Sequence, residues 1–313
     1  MRNCVARLGP LAFVLTRLQR PCILTMNSCP PSPTHSTVRP VARSALSSVS
    51  AIVPARNEAL CIAAVVRGLL AQRSMHGEPV LLEVVVADNG SSDGTAAIAR
   101  AAGARVVDVP QPGYGMACWE AIHASHGDVL LFVDGDGAAS PHEASAVLAG
   151  MAHGADLVVG VRQTIEPGAM TATQRFGNGL ACLLMRSIWR MPAADLGPYR
   201  AIRRSAFDAL DMQDRSFGWT VEMQVRAHVL GLRVSQVPVT WHARTAGVSK
   251  ISGTLRGVLG AGVGILGMIA RLWWRERRRP AAALSPLSLT PLSLTPLSPT
   301  SPLRVPAQHE TVH

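Results

Sequence analysis

Lysine is almost missing. The 313 residues carry 30 Lys and Arg together, and all but Lys250 are arginine. A uniform arginine excess lowers the information in each arginine. It raises interest in Lys250, where a compact ammonium has been kept in place of a planar guanidinium. Aromatic residues make up only 4%. The chain therefore lacks the stacking platform that single-stranded nucleic acids require, and no nucleic-acid partner is expected despite a net charge of +10. Six cysteines, Cys4, Cys22, Cys29, Cys61, Cys118 and Cys182, include no pair at metal-ligand spacing. They read as free thiols in a reducing compartment. No Walker A sequence is present, which excludes a P-loop nucleotidase, and Gly113-Tyr-Gly115 meets Cys118 where a dinucleotide fingerprint needs its third glycine. The uncharged stretch Gly257 to Ala270 has five glycines and stops at 14 residues, short of the roughly 20 needed to span a bilayer. Arg2 to Leu18 has basic residues around an apolar run but no small-residue cleavage site. The segment reads equally as a signal peptide or as an over-long start, with Met26 as the alternative.

What is present is a periodic alternation of strands and helices between two biased ends. Residues 1–47 are rich in Pro, Ser, Thr and Arg without a period and are expected to be disordered. Residues 280–313 contain a near repeat of Pro-Leu-Ser-Leu-Thr, and its regular prolines forbid helix and sheet ladders. Between them, apolar runs at Val49–Val53, Leu81–Ala87, Arg105–Val109, Val129–Val133 and Asp156–Val161 predict strands, with amphipathic helical segments between. That order predicts an α/β fold with a doubly wound, mostly parallel sheet. Asn57 is expected to cap the first helix and Thr220 a later one.

The stretch that organises the rest is Asp128-Val-Leu-Leu-Phe-Val-Asp134-Gly-Asp136-Gly137. A buried strand runs straight into two acids and two glycines. Ligands of open α/β sheets sit outside the carboxyl ends of the strands, and two carboxylates there suit a hard cation, Mg²⁺ or Mn²⁺. If Asp134 and Asp136 continue the strand, their two-residue spacing puts both on one face. A second strand ends in Asp88-Asn-Gly-Ser-Ser-Asp93, and a first in Pro54-Ala-Arg56-Asn57-Glu58. Together these could line a pocket for a nucleoside.

These three segments resemble family 2 glycosyltransferases of the GT-A fold, over roughly residues 48–253. Later segments look like the branch of dolichyl- and polyprenyl-phosphate sugar synthases: Gln174-Arg175-Phe-Gly-Asn178, Asp195 to Arg200, Gly218-Trp-Thr-Val-Glu222 and Ser249-Lys250. The loop Leu196-Gly-Pro-Tyr-Arg200 departs from that branch's usual Thr-Ser-Gly-Phe-Arg. The resemblance implies a single GT-A domain at 48–252, with a nucleotide-sugar half at 48–162 and an acceptor half at 163–252. It implies a nucleotide-diphosphate sugar bound by Pro54, Arg56, Asn57, Glu58, Asp88, Asp93, Gly113 and Asp134, with Asp134 and Asp136 on the metal. It implies an acceptor region of Gln174, Arg175, Asn178, Arg244 and Ser249, and a catalytic set of Asp136, Glu222, Arg200 and Lys250. Transfer would invert the sugar in one displacement onto a polyprenyl phosphate.

Glu222 would act as general base for a hydroxyl acceptor, or only orient a phosphate, which is already an anionic nucleophile. The segment 253–279 joins an apolar body to Trp273-Trp274 and Arg275, Arg277, Arg278 and Arg279. It fits either a helix at an anionic interface or one packed on the domain. The first choice places the protein in the cytoplasm, at the inner face of the cytoplasmic membrane. The rivals are a hydroxyl acceptor with the same donor, and a non-catalytic module that binds anionic membranes.

Overall fold

The computed structural model describes residues 48–74, 76–243 and 255–278. Strands and helices alternate: β1 (Val49–Ala55), α1 (Ile62–Leu70), β2 (Glu83–Asp88), α2 (Thr95–Ala101), β3 (Arg105–Asp108), α3 (Tyr114–Ala124), β4 (Val129–Phe132), α4 (Ala144–Ala152) and β5 (Leu157–Ile165). The second half adds α5 (Ala172–Trp189), β6 (Arg200–Arg203), α6 (Arg204–Leu210), α7 (Trp219–Val229), β7 (Val234–Trp241) and α8 (Leu255–Arg277). One sheet runs β3-β2-β1-β4-β6-β5-β7. The β1–β2, β2–β3, β1–β4 and β5–β7 pairs are parallel, while β6 is antiparallel to both neighbours. This is the mostly parallel, helix-flanked sheet that the strand–helix alternation predicts.

The β6 strand is the element not foreseen. Its residues, Arg-Ala-Ile-Arg, lack the apolar run of a buried strand, yet Arg200, Ala201 and Ile202 are buried between β4 and β5. Burial of Arg200 is tolerated because its guanidinium finds backbone carbonyls, as described below.

Alternation along each strand divides the core. One face of the sheet (Ala51, Val53, Val84, Val86, Leu131, Val158) packs on α1 and α4 through Ile62, Val66, Leu69, Val147 and Met151. The other face (Ile52, Val85, Leu130, Phe132, Val159, Ile202) packs on α3, α6 and α7 through Cys118, Ile122, Phe207, Trp219 and Met223. Burying one such aliphatic side chain contributes about 1.5–3 kcal/mol. A third cluster joins α7 (Val221, Val225) to α5 (Ala181, Cys182, Met185) and α8 (Met268, Ile269, Leu272). Helix α7 is thus covered on both sides, and every residue from Val221 to Ala227 is buried, Glu222, Gln224 and Arg226 included.

Two caps differ from expectation. Helix α1 begins after Cys61 with no side-chain cap, because Asn57 takes a left-handed conformation (φ 51°) and turns to the neighbouring loop. Helix α7 begins after Gly218, which leaves Thr220 inside the helix.

Candidate active site

Parallel pairing brings the ends of β1, β2 and β4 to one edge, where Ala55 lies opposite Asp88. The two loops beyond are stitched together. Asn57 Oδ1 accepts from Ser92 N (2.8 Å), and Asn57 N donates to Ser91 Oγ (2.8 Å). Glu58 N donates to Thr95 Oγ1 (2.8 Å), and Ala59 N to Asp93 Oδ2 (3.1 Å). Asp93 Oδ1 also takes the Thr95 hydroxyl (2.5 Å) and amide (3.1 Å). Partial desolvation works against its ionisation, but these donors bring the Asp93 carboxyl below its usual range. Pro54 is buried and Arg56 exposed. Asp88 is buried and accepts the Ser91 hydroxyl.

Asn89, not singled out in the sequence, ties three elements. Its amide group donates to Val109 O (3.1 Å) and Gln111 O (2.6 Å), and its oxygen accepts from Gly113 N (2.9 Å). The signal available was its place between two strand-end acids. The Gly113-Tyr-Gly115 turn has a steric cause. A side chain at Gly113 would collide with the Arg215 carbonyl, and one at Gly115 would lie 2.7 Å from the Arg215 backbone. Gly115 N and Met116 N donate to Ser216 O (3.3 Å) and Arg215 O (2.8 Å) across that contact.

Strand β4 stops at Phe132, so Asp134 and Asp136 sit in the turn beyond it and do not share a strand face. Gly135 N bonds Pro54 O (3.3 Å), and an added Cβ there would press Ala55, Ile62 and Pro54. The turn is therefore held against β1. Asp134 is half-buried and accepts the Tyr114 hydroxyl at 3.1 Å. Burial first, then the Asp134 charge, push the Tyr114 phenol well above its usual range, so it stays a donor. Asp136 is 5% exposed and accepts from Ala138 N (3.0 Å). The end of β7 closes the far side, with His242 N on Ala138 O (2.9 Å) and His242 Nδ1 2.8 Å from Glu166.

Two carboxylates on a tight turn offer hard oxygen donors. Among the described residues no group of three or more His, Cys, Asp and Glu is placed to hold an ion. That donor set fits a cation completed by ligand phosphates and water, as Mg²⁺-type sites are, and not an all-protein cage.

The second half behaves differently. Arg200 is 1% exposed. Its guanidinium donates to Gly197 O (2.8 Å), Thr220 O (3.2 Å) and Leu196 O. Burial brings its pKa down to about 10, with Tyr114, Cys118, Asp195 and Asp134 opposing, so it remains a cation at neutral pH. These donors are spent inside the fold. Glu222 is also 1% exposed, and its oxygens receive Gln213 N (3.0 Å), Asp214 N (2.7 Å) and Arg226 Nη1 (3.5 Å). Such a carboxylate pins the 213–214 loop.

Asn178 Oδ1 accepts from Arg162 Nη2 and Leu196 N, both at 3.1 Å. Arg162 in turn grips Asp195 through Nη2 (2.5 Å), Nε (2.8 Å) and its backbone N (2.9 Å). Gln174 completes a capping box with Thr171 at the start of α5. Arg175 is exposed beside it. The structure thus brings Arg56, Asn57, Glu58, Asp88, Asp93, Asp134 and Asp136 to one edge, and gives Asn178, Arg200, Glu222 and Gln174 internal partners. Arg244, Ser249 and Lys250 lie outside the described residues.

Helix α8 rests on α5 and α7, yet both outer helices leave large apolar side chains in solvent: Phe176 is 70% exposed and Val263 71%, with Leu183, Leu266 and Trp274 also exposed. Arg277 and Arg278 stack on Trp273 and Trp274 at 4.0 and 4.9 Å. Among the described residues, no helix is long and apolar enough to cross a membrane.

Residues 50–211 match the model of glycosyl transferase family 2. A glycosyltransferase of Mycobacterium tuberculosis is 33% identical over 210 residues, which cover 67% of this chain and 92% of that protein. The chain belongs to glycosyl transferase family 2 and is a glycosyltransferase. It is also 28% identical to the polyprenol monophosphomannose synthase of Mycolicibacterium smegmatis over 239 residues, 70% of this chain and 84% of that one. Its fold matches glucosyl-3-phosphoglycerate synthase from Mycobacterium tuberculosis, crystallised with Mn²⁺, uridine diphosphate and glucosyl-3-phosphoglycerate. The TM-score is 0.56 at 23% identity, covering 71% of this chain and 80% of that one.

Proposed function

We propose that this glycosyltransferase moves a sugar from a nucleotide-diphosphate donor to a polyprenyl phosphate, with inversion. The observation that carries the donor half is the Asp134–Asp136 turn, held against β1 and opening on the stitched loops 54–59 and 88–95. Pro54, Arg56, Asn57, Glu58, Asp88 and Asp93 frame the nucleoside end. Gly113 gives the backbone room at the start of α3. Asp134 and Asp136 hold Mg²⁺ or Mn²⁺, and when bound the cation offsets the charge gathering on the leaving diphosphate. An acceptor phosphate oxygen attacks the anomeric carbon. The bond from that carbon to the diphosphate oxygen breaks, and the nucleotide diphosphate leaves with the electron pair. A phosphate needs no general base, which agrees with a Glu222 occupied elsewhere.

Arg175 beside the start of α5, together with Arg244, Ser249 and Lys250, supplies polar and cationic contacts to the acceptor phosphate. The exposed apolar side chains of α5 and α8, with Arg271, Arg275 and Arg277 on the last turns of α8 and Arg278 just beyond, support a peripheral site at an anionic bilayer surface, the cytoplasmic face in this proposal. The similarity to a polyprenol monophosphomannose synthase supports the lipid acceptor. A soluble phosphorylated acceptor is the alternative, favoured by the fold shared with glucosyl-3-phosphoglycerate synthase.

The test is a donor screen. Purified protein is offered UDP- and GDP-sugars with Mn²⁺ or Mg²⁺, and either polyprenyl phosphate in detergent or 3-phosphoglycerate. Sugar appearing in the lipid fraction, with nucleotide diphosphate released, is the expected result. Transfer to phosphoglycerate alone would replace the lipid acceptor by the soluble one, and full turnover in excess EDTA would remove the cation from the scheme.

A further inference from the structure

Tyr114 is one of two tyrosines in the chain and the first residue of α3. Its phenol reaches across to Asp134 Oδ1 at 3.1 Å. The residue is held from three sides. Asn89 Oδ1 receives the amide of the preceding Gly113 at 2.9 Å. The Arg215–Ser216 backbone receives the next two amides. The Arg215 guanidinium lies 3.6 Å over the Trp119 ring on the same helix. Glycines at 113 and 115 leave no gap against Arg215, so the turn has little slack. Behind the phenol, Cys118 and Arg200 are both fully buried and within electrostatic reach of Asp134.

We infer that Tyr114 is a positioning residue: through its hydroxyl it fixes the rotamer of Asp134 and so sets the affinity of the turn for its divalent cation. The inference rests on Asp134 and Asp136 being the cation's protein ligands. The physical case is that the χ2 torsion of an aspartate is broad and roughly two-fold. One directed O–H donor selects one orientation before the cation arrives. Ligand-orienting partners of this kind are worth 10–100-fold in metal affinity when removed. Arg200 is a buried positive charge nearby whose N–H groups turn to Leu196, Gly197 and Thr220.

The experiment compares full-length wild type, Tyr114→Phe and Asp136→Ala. Mn²⁺ binding is measured by the loss of the free-ion electron paramagnetic resonance signal, with uridine diphosphate present as the probe. Thermal melts are run on the same samples. Phenylalanine keeps the ring and its packing, so the melt should stay near that of wild type. The Mn²⁺ dissociation constant should rise on the order of tenfold, and turnover at saturating Mn²⁺ should recover to within about threefold. A structural role alone would lower the melting temperature and leave Mn²⁺ affinity unchanged. If Tyr114→Phe binds Mn²⁺ as wild type does while Asp136→Ala has lost it, the inference about Tyr114 is wrong and the cation site stands. If Asp136→Ala also binds as wild type, the cation site itself is wrong and the inference goes with it.

Discussion

The two halves of this molecule use charged residues in opposite ways. At the edge formed by β1, β2 and β4, acids stand in turns that other loops lace from outside, and Asp93, Asn57 and Arg56 remain exposed. From β5 onward, one set of charged and polar residues is turned inward. Arg162, Asp195 and Asn178 form one buried set, Arg200 and Gln224 reach the Asp195–Gly197 carbonyls, and Glu222 with Arg226 closes the 211–214 loop. The first arrangement stands at the strand-end edge where ligands of such sheets sit. The second uses its donors and acceptors to hold an antiparallel strand and a doubly covered helix in place. Mutations should therefore split: activity lost with the fold intact in the first half, stability lost in the second.

The largest effect belongs to the first half. Asp136→Ala should cut turnover by a factor on the order of 10²–10³, the scale for losing one preorganised electrostatic partner of developing charge. The Ala138 amide loses its acceptor, at a cost of about 1 kcal/mol. Steady-state kinetics beside a melt will show it. Retained turnover would move the chemistry away from this turn. Next comes Arg162→Ala, which leaves Asp195 buried without its cation. Removing one partner of such a pair costs roughly 3–5 kcal/mol, readable as a lower urea midpoint. If the midpoint holds and only turnover falls, the contrast between the halves fails at its centre.

The same pair carries an acid dependence. Burial works to raise the Asp195 carboxyl, but the Arg162 guanidinium and the amides of Arg162 and Gly197 win and bring it below its usual range. A depressed folded-state pKa means the contribution is fully present above the unfolded value of about 3.9 and is lost as pH falls through the folded value. The stability gap between wild type and Asp195→Asn should thus be constant from pH 7 to 5 and narrow below pH 4. A gap that widens in acid would contradict the assigned charge state.

Legibility followed the same division. Asp134, Asp136 and Asp88 could be found because a parallel strand must be an apolar run and its end must be a turn; an acid placed there is conspicuous. Asn57 is visible as a polar residue before a helix, while Gln174 is singled out by resemblance alone. Whether Asn57 caps its own helix or reaches Ser92 depends on one backbone angle that residue type does not decide. Strand β6 escaped because its burial is made possible by partners far along the chain. Nothing local in Arg-Ala-Ile-Arg says that Gly197 and Thr220 carbonyls will receive Arg200. Glu222 shows the same limit: its place near a helix start suits a solvent-facing acid equally well, and the 213–214 loop folding back on α7 gives it internal partners.

Smaller effects sharpen the border between the halves. Glu222→Gln keeps the shape but replaces one oxygen by a donor facing the Gln213 and Asp214 amides. A loss of about 1–3 kcal/mol is expected, a shift of several degrees in the melt, with turnover at low temperature nearly unchanged. A collapse of turnover at an unchanged melting temperature would instead restore it as a base and favour a hydroxyl acceptor.

The finest test is at the start of α5, where Gln174 faces both ways: a capping residue by its bonds, an acceptor contact by resemblance. Thr171→Ala and Gln174→Ala each remove one arm of the capping box. A cap of this kind is worth about 1 kcal/mol, which in a domain of this size is roughly 2–4 °C. If capping is the whole role, the two variants lower the melt alike and leave the KM for the acceptor unchanged. If Gln174→Ala alone raises that KM, the acceptor region begins at this turn, and the first residues of α5 belong with the exposed, ligand-facing half of the molecule.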